Sequence, residues 1–191
     1  AIATVILPKL SLLFTTKKTK DFNQVVNWAV RMSILVSIPT VIGLIILSKP
    51  ILISLLNYKE FSLYDVNMVS ISLIAFSIGL PAMIGVKILI TIFYSMKKTS
   101  FPAKVAVIAV FFNVTLNLIL VFYLSYIDFT GVHAGLSIAT SFAAYINFFL
   151  LLREALRQKY IKIEKSTFVF IFKILFASFI MFIVLINFNL D

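Results

Sequence analysis

This chain reads as an all-α, polytopic helical membrane protein with five complete transmembrane helices and one partial helix. Three features carry that reading. Apolar residues make up 62% of the 191 residues and charged residues 13%, with a mean hydropathy of +1.11, whereas a soluble domain has about a quarter of its residues charged and no more than about half apolar. The apolar residues gather in runs close to the roughly 20 residues that a bilayer-crossing helix needs. The basic residues gather in alternate connections: Lys17, Lys18, Lys20 and Arg31, then Lys97, Lys98 and Lys104, then Arg153, Arg157, Lys159, Lys162 and Lys165. The intervening connections hold only Lys49 and Lys59. Short loops rich in Lys and Arg stay in the cytoplasm during insertion, so three connections are assigned inside and two outside.

The elements follow in order. Residues 1–14 are apolar but too short to span, and they begin without a Met, which predicts the tail of a helix started upstream and hence a fragment. No basic n-region precedes them, so a secretory signal is not expected. Residues 15–27 read as a Lys-rich, polar loop, Trp28 falls at an interfacial aromatic belt, and residues 32–47 form the second segment, interrupted by Pro39 and Gly43. The outer connection, 49–66, carries an apolar patch at 51–56 and then Tyr58, Lys59, Glu60, Phe61, Tyr64 and Asp65. It is expected to lie on the membrane surface as a short amphipathic helix. The third segment, 67–95, is long, and Gly79, Pro81 and Gly85 predict a kink near its middle. Residues 97–104 read as a tight inner loop around Pro102, 105–126 as the fourth segment, and 127–135 as an outer turn containing Asp128 and His133. The fifth segment is 136–152, the basic inner loop 153–165 and the sixth segment 167–187, with Asp191 outside.

The same pattern excludes several functions. The net charge of +10 follows the membrane loops and does not cluster on one amphipathic face, so it reads as topogenic and as attraction to anionic membrane lipids, not as a nucleic-acid site. Without cysteine there is no disulfide framework, thiolate nucleophile or Cys-ligated metal. The sequence carries no His/Glu metal motif, nucleophile elbow or phosphate-cradling Gly-rich loop, and its seven acidic residues are scattered over loops. No catalytic site is thus recognisable and no cofactor is expected; on the residues alone a transporter, with sodium or protons as possible coupling ions, and a membrane-embedded enzyme both stay open.

Polar groups inside the spans hold the functional information, because a charge in hydrocarbon costs about 2.5 to 3.5 kcal/mol on insertion scales. Lys87 lies eight residues before Ser95, roughly 12 Å of helix from the inner end. Two readings stand for it: a long stem snorkelling to the inner headgroups, or an ammonium in a water-filled cavity that binds an anionic substrate group or gates the path. Lys9 and Lys173 lie nearer segment ends, where snorkelling suffices. Asn113 and Asn117, four residues apart, share one face of the fourth segment, and Ser137, Thr140, Ser141 and Asn147 supply polar atoms on the fifth. Packing these faces together predicts interhelical hydrogen bonds, and Asn113, Asn117 and Thr140 also offer amide and hydroxyl oxygens for a cation such as sodium. His133 reads as a solvated loop histidine or a pH sensor. Phe168, Phe170, Phe172, Phe176, Phe179 and Phe182 give the sixth segment a lipid-facing surface or one side of a groove for a long acyl or prenyl chain.

Specific strings then resemble a known family. Ala1-Ile2-Ala3-Thr4-Val5-Ile6-Leu7-Pro8 followed by Leu10-Ser11 resembles the end of the eighth membrane helix of the MurJ/MviN lipid II flippases. Lys87-Ile88-Leu89 through Phe93-Tyr94-Ser95 resembles their tenth helix, and Pro102-Ala103-Lys104-Val105-Ala106 the start of their eleventh. Gly135-Leu136-Ser137-Ile138-Ala139-Thr140-Ser141 is similar to their twelfth. Before the x-Phe-x-x-x-Asp pattern at Glu60-Phe61 to Asp65 the family usually has glycine where this chain has Lys59, a departure that affects the local turn.

The resemblance implies a two-lobe exporter fold of the multidrug/oligosaccharidyl-lipid/polysaccharide superfamily. Residues 1–152 would belong to the C-terminal lobe, from the end of helix 8 through helix 12, and 153–191 would be the basic inner loop and helix 13. It also implies movement of lipid II, the undecaprenyl-linked peptidoglycan precursor, to the outer leaflet of the bacterial cytoplasmic membrane by alternating access. The partners implied are lipid II and an amino-terminal half that carries most of the headgroup cavity, with Lys87 the matching basic position here. A polysaccharide-unit or drug exporter of the same superfamily is the alternative transporter. A membrane-embedded polyprenyl-phosphate enzyme and a membrane scaffold are the alternatives outside the class.

Overall fold

The computed structural model of the chain describes residues 2–56, 62–127, 132–162 and 164–188. Tyr58, Lys59, Glu60, Phe61, Asp128 and Asp191 lie outside the described residues. Among the described residues six helices follow one another: α1 (Ile2–Thr15), α2 (Thr19–Leu56), α3 (Leu63–Ser95), α4 (Ser100–Tyr126), α5 (Ala134–Arg157) and α6 (Lys165–Phe188). Among the described residues there is no strand. Helices α2 to α6 are each long and apolar enough to cross a membrane, and α1 is shorter. The expected five complete spans and one partial span are thus present.

Several boundaries differ from the sequence reading. Residues 19–27, expected in a loop, are the first turns of α2, and Arg31 lies inside that helix. The patch at 51–56, expected as a separate surface helix, continues α2 through Pro50, with Lys49 inside the same helix. Propensity alone does not stop a helix at Pro50 when the surrounding residues are Leu, Ile and Ser and the bilayer offers no other partner for the backbone. Residues 97–104 form a shorter turn than expected, because α4 starts at Ser100 and takes Pro102 into its first turn, where a missing N–H costs no helical hydrogen bond. The helix α3 passes through Pro81. Two hydroxyls of α5 bond carbonyls just before that proline: Ser141 Oγ donates to the Ala75 carbonyl (2.7 Å) and Tyr145 Oη to that of Ile78 (2.9 Å).

Local chemistry sets the helix ends. Ser62 caps α3 through a capping box: its Oγ accepts from the Asp65 N–H (3.3 Å) while Asp65 Oδ2 accepts from the Ser62 N–H (2.9 Å). At the other end of the bundle α1, α3 and α5 all finish in the same motif. Lys17, Lys97 and Lys159 each take a left-handed φ, of 57°, 58° and 55°. Their amides bond the carbonyls of Phe14, Tyr94 and Leu156, while the next amides, of Lys18, Lys98 and Tyr160, reach back to Leu13, Phe93 and Ala155. This is the Schellman closure, in which glycine is the usual left-handed residue and a side chain costs roughly 1 to 2 kcal/mol.

Helix α3 is the centre of the bundle: α5, α2 and α1 pack on it, α4 packs on α5, and α6 packs on α2. The buried apolar cluster, including Leu10, Phe22, Ile92, Phe93 and Leu151, sits toward the Lys-rich end. Much of α4 and α6 is exposed, with Phe111, Phe122, Phe172 and Phe176 on the surface, as suits helices whose outer faces meet acyl chains.

Candidate functional site

The α4/α5 seam brings together the three residues expected to share a polar site. Asn117 Nδ2 donates to Asn113 Oδ1 (2.7 Å), Asn113 Nδ2 donates to Thr140 Oγ1 (3.3 Å), and Thr140 Oγ1 donates to the Leu136 carbonyl (2.8 Å). The chain of bonds ends at Asn117 Oδ1, which is buried and has no hydrogen-bond partner among the described residues. Oxygens of two amides, one hydroxyl and one carbonyl therefore lie along a single seam, a donor set suited to a hard monovalent cation. The remaining polar atoms of α5 do not join it. Ser141 turns to α3, and Asn147 Oδ1 is buried without a partner among the described residues.

Lys87 lies on an exposed face of α3 that it shares with Phe76 and Tyr94, turned away from buried Ile88, Leu89 and Ile92. No described carboxylate pairs with its ammonium. Its backbone carbonyl accepts the Thr91 hydroxyl at 2.8 Å. Lys9, Lys173 and His133 are likewise exposed.

Two hollows flank the central helices. A narrow apolar cleft of about 260 Å³ lies among α2, α3, α5 and α6, walled by Ile34, Ile38, Ile88, Phe148 and Ile171 and reached by Ser33 and Ser37. A wider hollow of about 1240 Å³ opens at the Lys-rich end, between the ends of α1, α3 and α5 and the start of α2.

The strongest polar contact between helices was not anticipated from the sequence. Asn27, only 3% exposed, uses all four of its side-chain hydrogen-bonding positions. Nδ2 donates to the carbonyls of Asn23 and Lys162 (both 2.8 Å), and Oδ1 accepts from the Glu164 N–H (3.1 Å) and the Thr167 hydroxyl (2.9 Å). Asn23 Oδ1 accepts the Lys162 N–H at 3.0 Å. One turn on, Arg31 donates to Thr167 (3.1 Å) and Ser166 (2.7 Å) and pairs with Glu164 (3.3 Å). The available signal was the spacing of Asn23, Asn27 and Arg31, four residues apart on one helical face. These residues lash the α5–α6 connection and the start of α6 to α2.

The family model described as lipid II flippase MurJ matches residues 1–190. A probable lipid II flippase MurJ of Vibrio cholerae is 34% identical over 95% of this chain and 33% of its own length. The protein of the same description from Buchnera aphidicola subsp. Schizaphis graminum is 31% identical over 95% of this chain and 34% of its own. A solved lipid II flippase MurJ in an inward closed conformation shares the fold, with a TM-score of 0.76 at 24% identity, over 100% of this chain and 40% of that one. The chain thus spans about a third of the length of these curated relatives.

Proposed function

The chain belongs to the lipid II flippase MurJ family, and from that premise we propose that it contributes part of the C-terminal lobe of a transporter. That transporter moves lipid II from the inner to the outer leaflet of the bacterial cytoplasmic membrane for cell-wall synthesis. The observation that carries this reading is the unbroken family match over residues 1–190, coupled to five helices of spanning length in a helical exporter fold. Residues 1–152 act as lobe and 153–191 as the connection and helix beside it. Translocation proceeds by rocking of lobes about a central site and not by bond-making chemistry. The chain spans about a third of its relatives' length, and in this proposal it transports as part of a longer protein that supplies an amino-terminal lobe.

Within this reading Lys87 is the substrate or gating cation: its exposed ammonium, without a carboxylate partner among the described residues, stands on a face of α3 that those residues leave open. Sodium is the favoured coupling ion over protons, held along Asn113, Asn117 and Thr140, where Asn117 Oδ1 is the buried oxygen without a donor. A proton would need a titratable group, and this seam supplies none.

The test is rescue of MurJ-depleted cells by this chain joined to a relative's amino-terminal half, following lipid II in the outer leaflet at equal membrane abundance. Rescue by the native sequence and by Lys87→Arg, with loss in Lys87→Ala, is the expected result. Equal rescue by all three removes Lys87 from the mechanism, and outer-leaflet lipid II restored by this chain alone removes the need for a second lobe.

A further inference from the structure

We infer that the hollow at the Lys-rich end is a binding site for the phosphate headgroup of an anionic phospholipid of the cytoplasmic leaflet. Five lysines from separate parts of the chain line it: Lys17 from the α1–α2 turn, Lys20 from the first turn of α2, Lys97 from the α3–α4 turn, and Lys159 and Lys162 from the α5–α6 connection. None of them pairs with a described carboxylate. The one acidic group on the wall, Glu164, is already held by Arg31 at 3.3 Å. The rest of the wall includes Phe14, Phe22 and Met96, apolar surface suited to the glycerol and first methylenes below a phosphate. Basic pockets between membrane helices on the cytoplasmic side are the usual seats of such headgroups.

Two simpler explanations account for part of this arrangement. Topogenic retention needs lysines on cytoplasmic loops, but it does not need them to converge on one hollow of about 1240 Å³. Compensation of helix dipoles explains a cation at each of three helix C-termini, but not Lys20 and Lys162, which stand elsewhere on the same wall. Lys17, Lys97 and Lys159 also hold a left-handed φ that glycine would adopt without strain, and all three open on this hollow. A membrane with this end inward is all the site requires, so it stands whichever lipid the whole transporter moves.

The complete chain would be placed in phosphatidylethanolamine nanodiscs containing a small fraction of cardiolipin, and bound lipid read by native mass spectrometry. The native chain is expected to enrich cardiolipin. The triple variant Lys17→Gly/Lys97→Gly/Lys159→Gly, whose glycines suit the local backbone, is expected to keep its helical content and lose enrichment by about tenfold or more. The variant Lys20→Gln/Lys162→Gln, away from the left-handed positions, is expected to lose part of it. A control of equal charge loss outside the hollow, Lys104→Gln/Arg153→Gln/Lys165→Gln, is expected to retain it. Absence of enrichment in the native chain overturns the site, as does undiminished enrichment in the glycine variant. Equal loss in the control reduces it to diffuse surface charge, and displacement of the lipid by millimolar inorganic phosphate reassigns it to free phosphate; either result also overturns it.

Discussion

The two ends of this bundle are packed by different means. At the Lys-rich end Leu10, Ile92, Phe93 and Leu151 are almost fully buried, and Phe93 meets the rings of Phe101 and Tyr160 at 5.5 and 5.8 Å. Toward the opposite end α3 and α5 pack on each other, and many of their buried residues are small: Ser70, Ser77, Gly79 and Ala82 on one helix and Ala134, Ala139, Ser141 and Ala143 on the other. There the backbones come so close that a Cβ on Gly79 would stand 2.8 Å from Ser141 Cα. Lipid tails are as apolar as leucine, so burying large side chains brings little within the bilayer, and small residues that let backbones approach are the better use of a contact. Near the headgroups water is again the competitor, and large side chains and saturated polar groups regain their value.

Substitutions at each end test this contrast. The largest effect is expected from Phe93→Ala, about 3 kcal/mol or more, because it empties a filled site beside the rings of Phe101 and Tyr160. A drop in detergent melting temperature confined to a few tenths of a degree would show that the basic end is not held by large side chains. Asn27→Ala should follow at about 2 kcal/mol, since the buried Thr167 hydroxyl and the neighbouring backbone lose their partner. Hydrogen exchange should quicken at residues 162–168 while 134–143 stay protected, and a uniform increase would mean that α6 is not docked by this amide.

Gly79→Ala is expected to cost about 1 to 3 kcal/mol by forcing Ser141 and its backbone away. The same substitution at Gly43, with nothing within 4 Å of its Cβ, should be neutral or mildly stabilising. Equal melting shifts for the two glycines would end the close-approach account of the α3/α5 seam. The smallest effect belongs to Thr140→Val, about 0.6 kcal/mol for one interhelical hydrogen bond. A double-mutant cycle with Asn113→Leu measures it, and addition of sodium should raise the coupling energy if the seam holds the ion.

Much of the site was legible because it lies within one helix or across one short turn. Asn113 and Asn117 face the same way by helical period, and the short connection after α4 brings Thr140 opposite them. Lys87 was equally visible as a charge inside an apolar run. The hollow with its five lysines was not legible, although the sequence places each lysine on the cytoplasmic side, since alternation along the chain says which end a loop occupies and nothing about where loops converge.

Run length and helical period are local, which is why the chain alone disclosed its spans, its alternating basic connections and its paired asparagines. The same locality explains the misplaced boundaries: a polar stretch such as 19–27 reads as loop until a partner for Asn23 and Asn27 is supplied from beyond residue 160. Ser141 reaching Ala75 across 66 residues, and Thr167 reaching Asn27 across 140, arise only when helices distant in the chain are packed side by side. A buried polar group must find a partner wherever the fold places one, and that constraint leaves no period in the sequence.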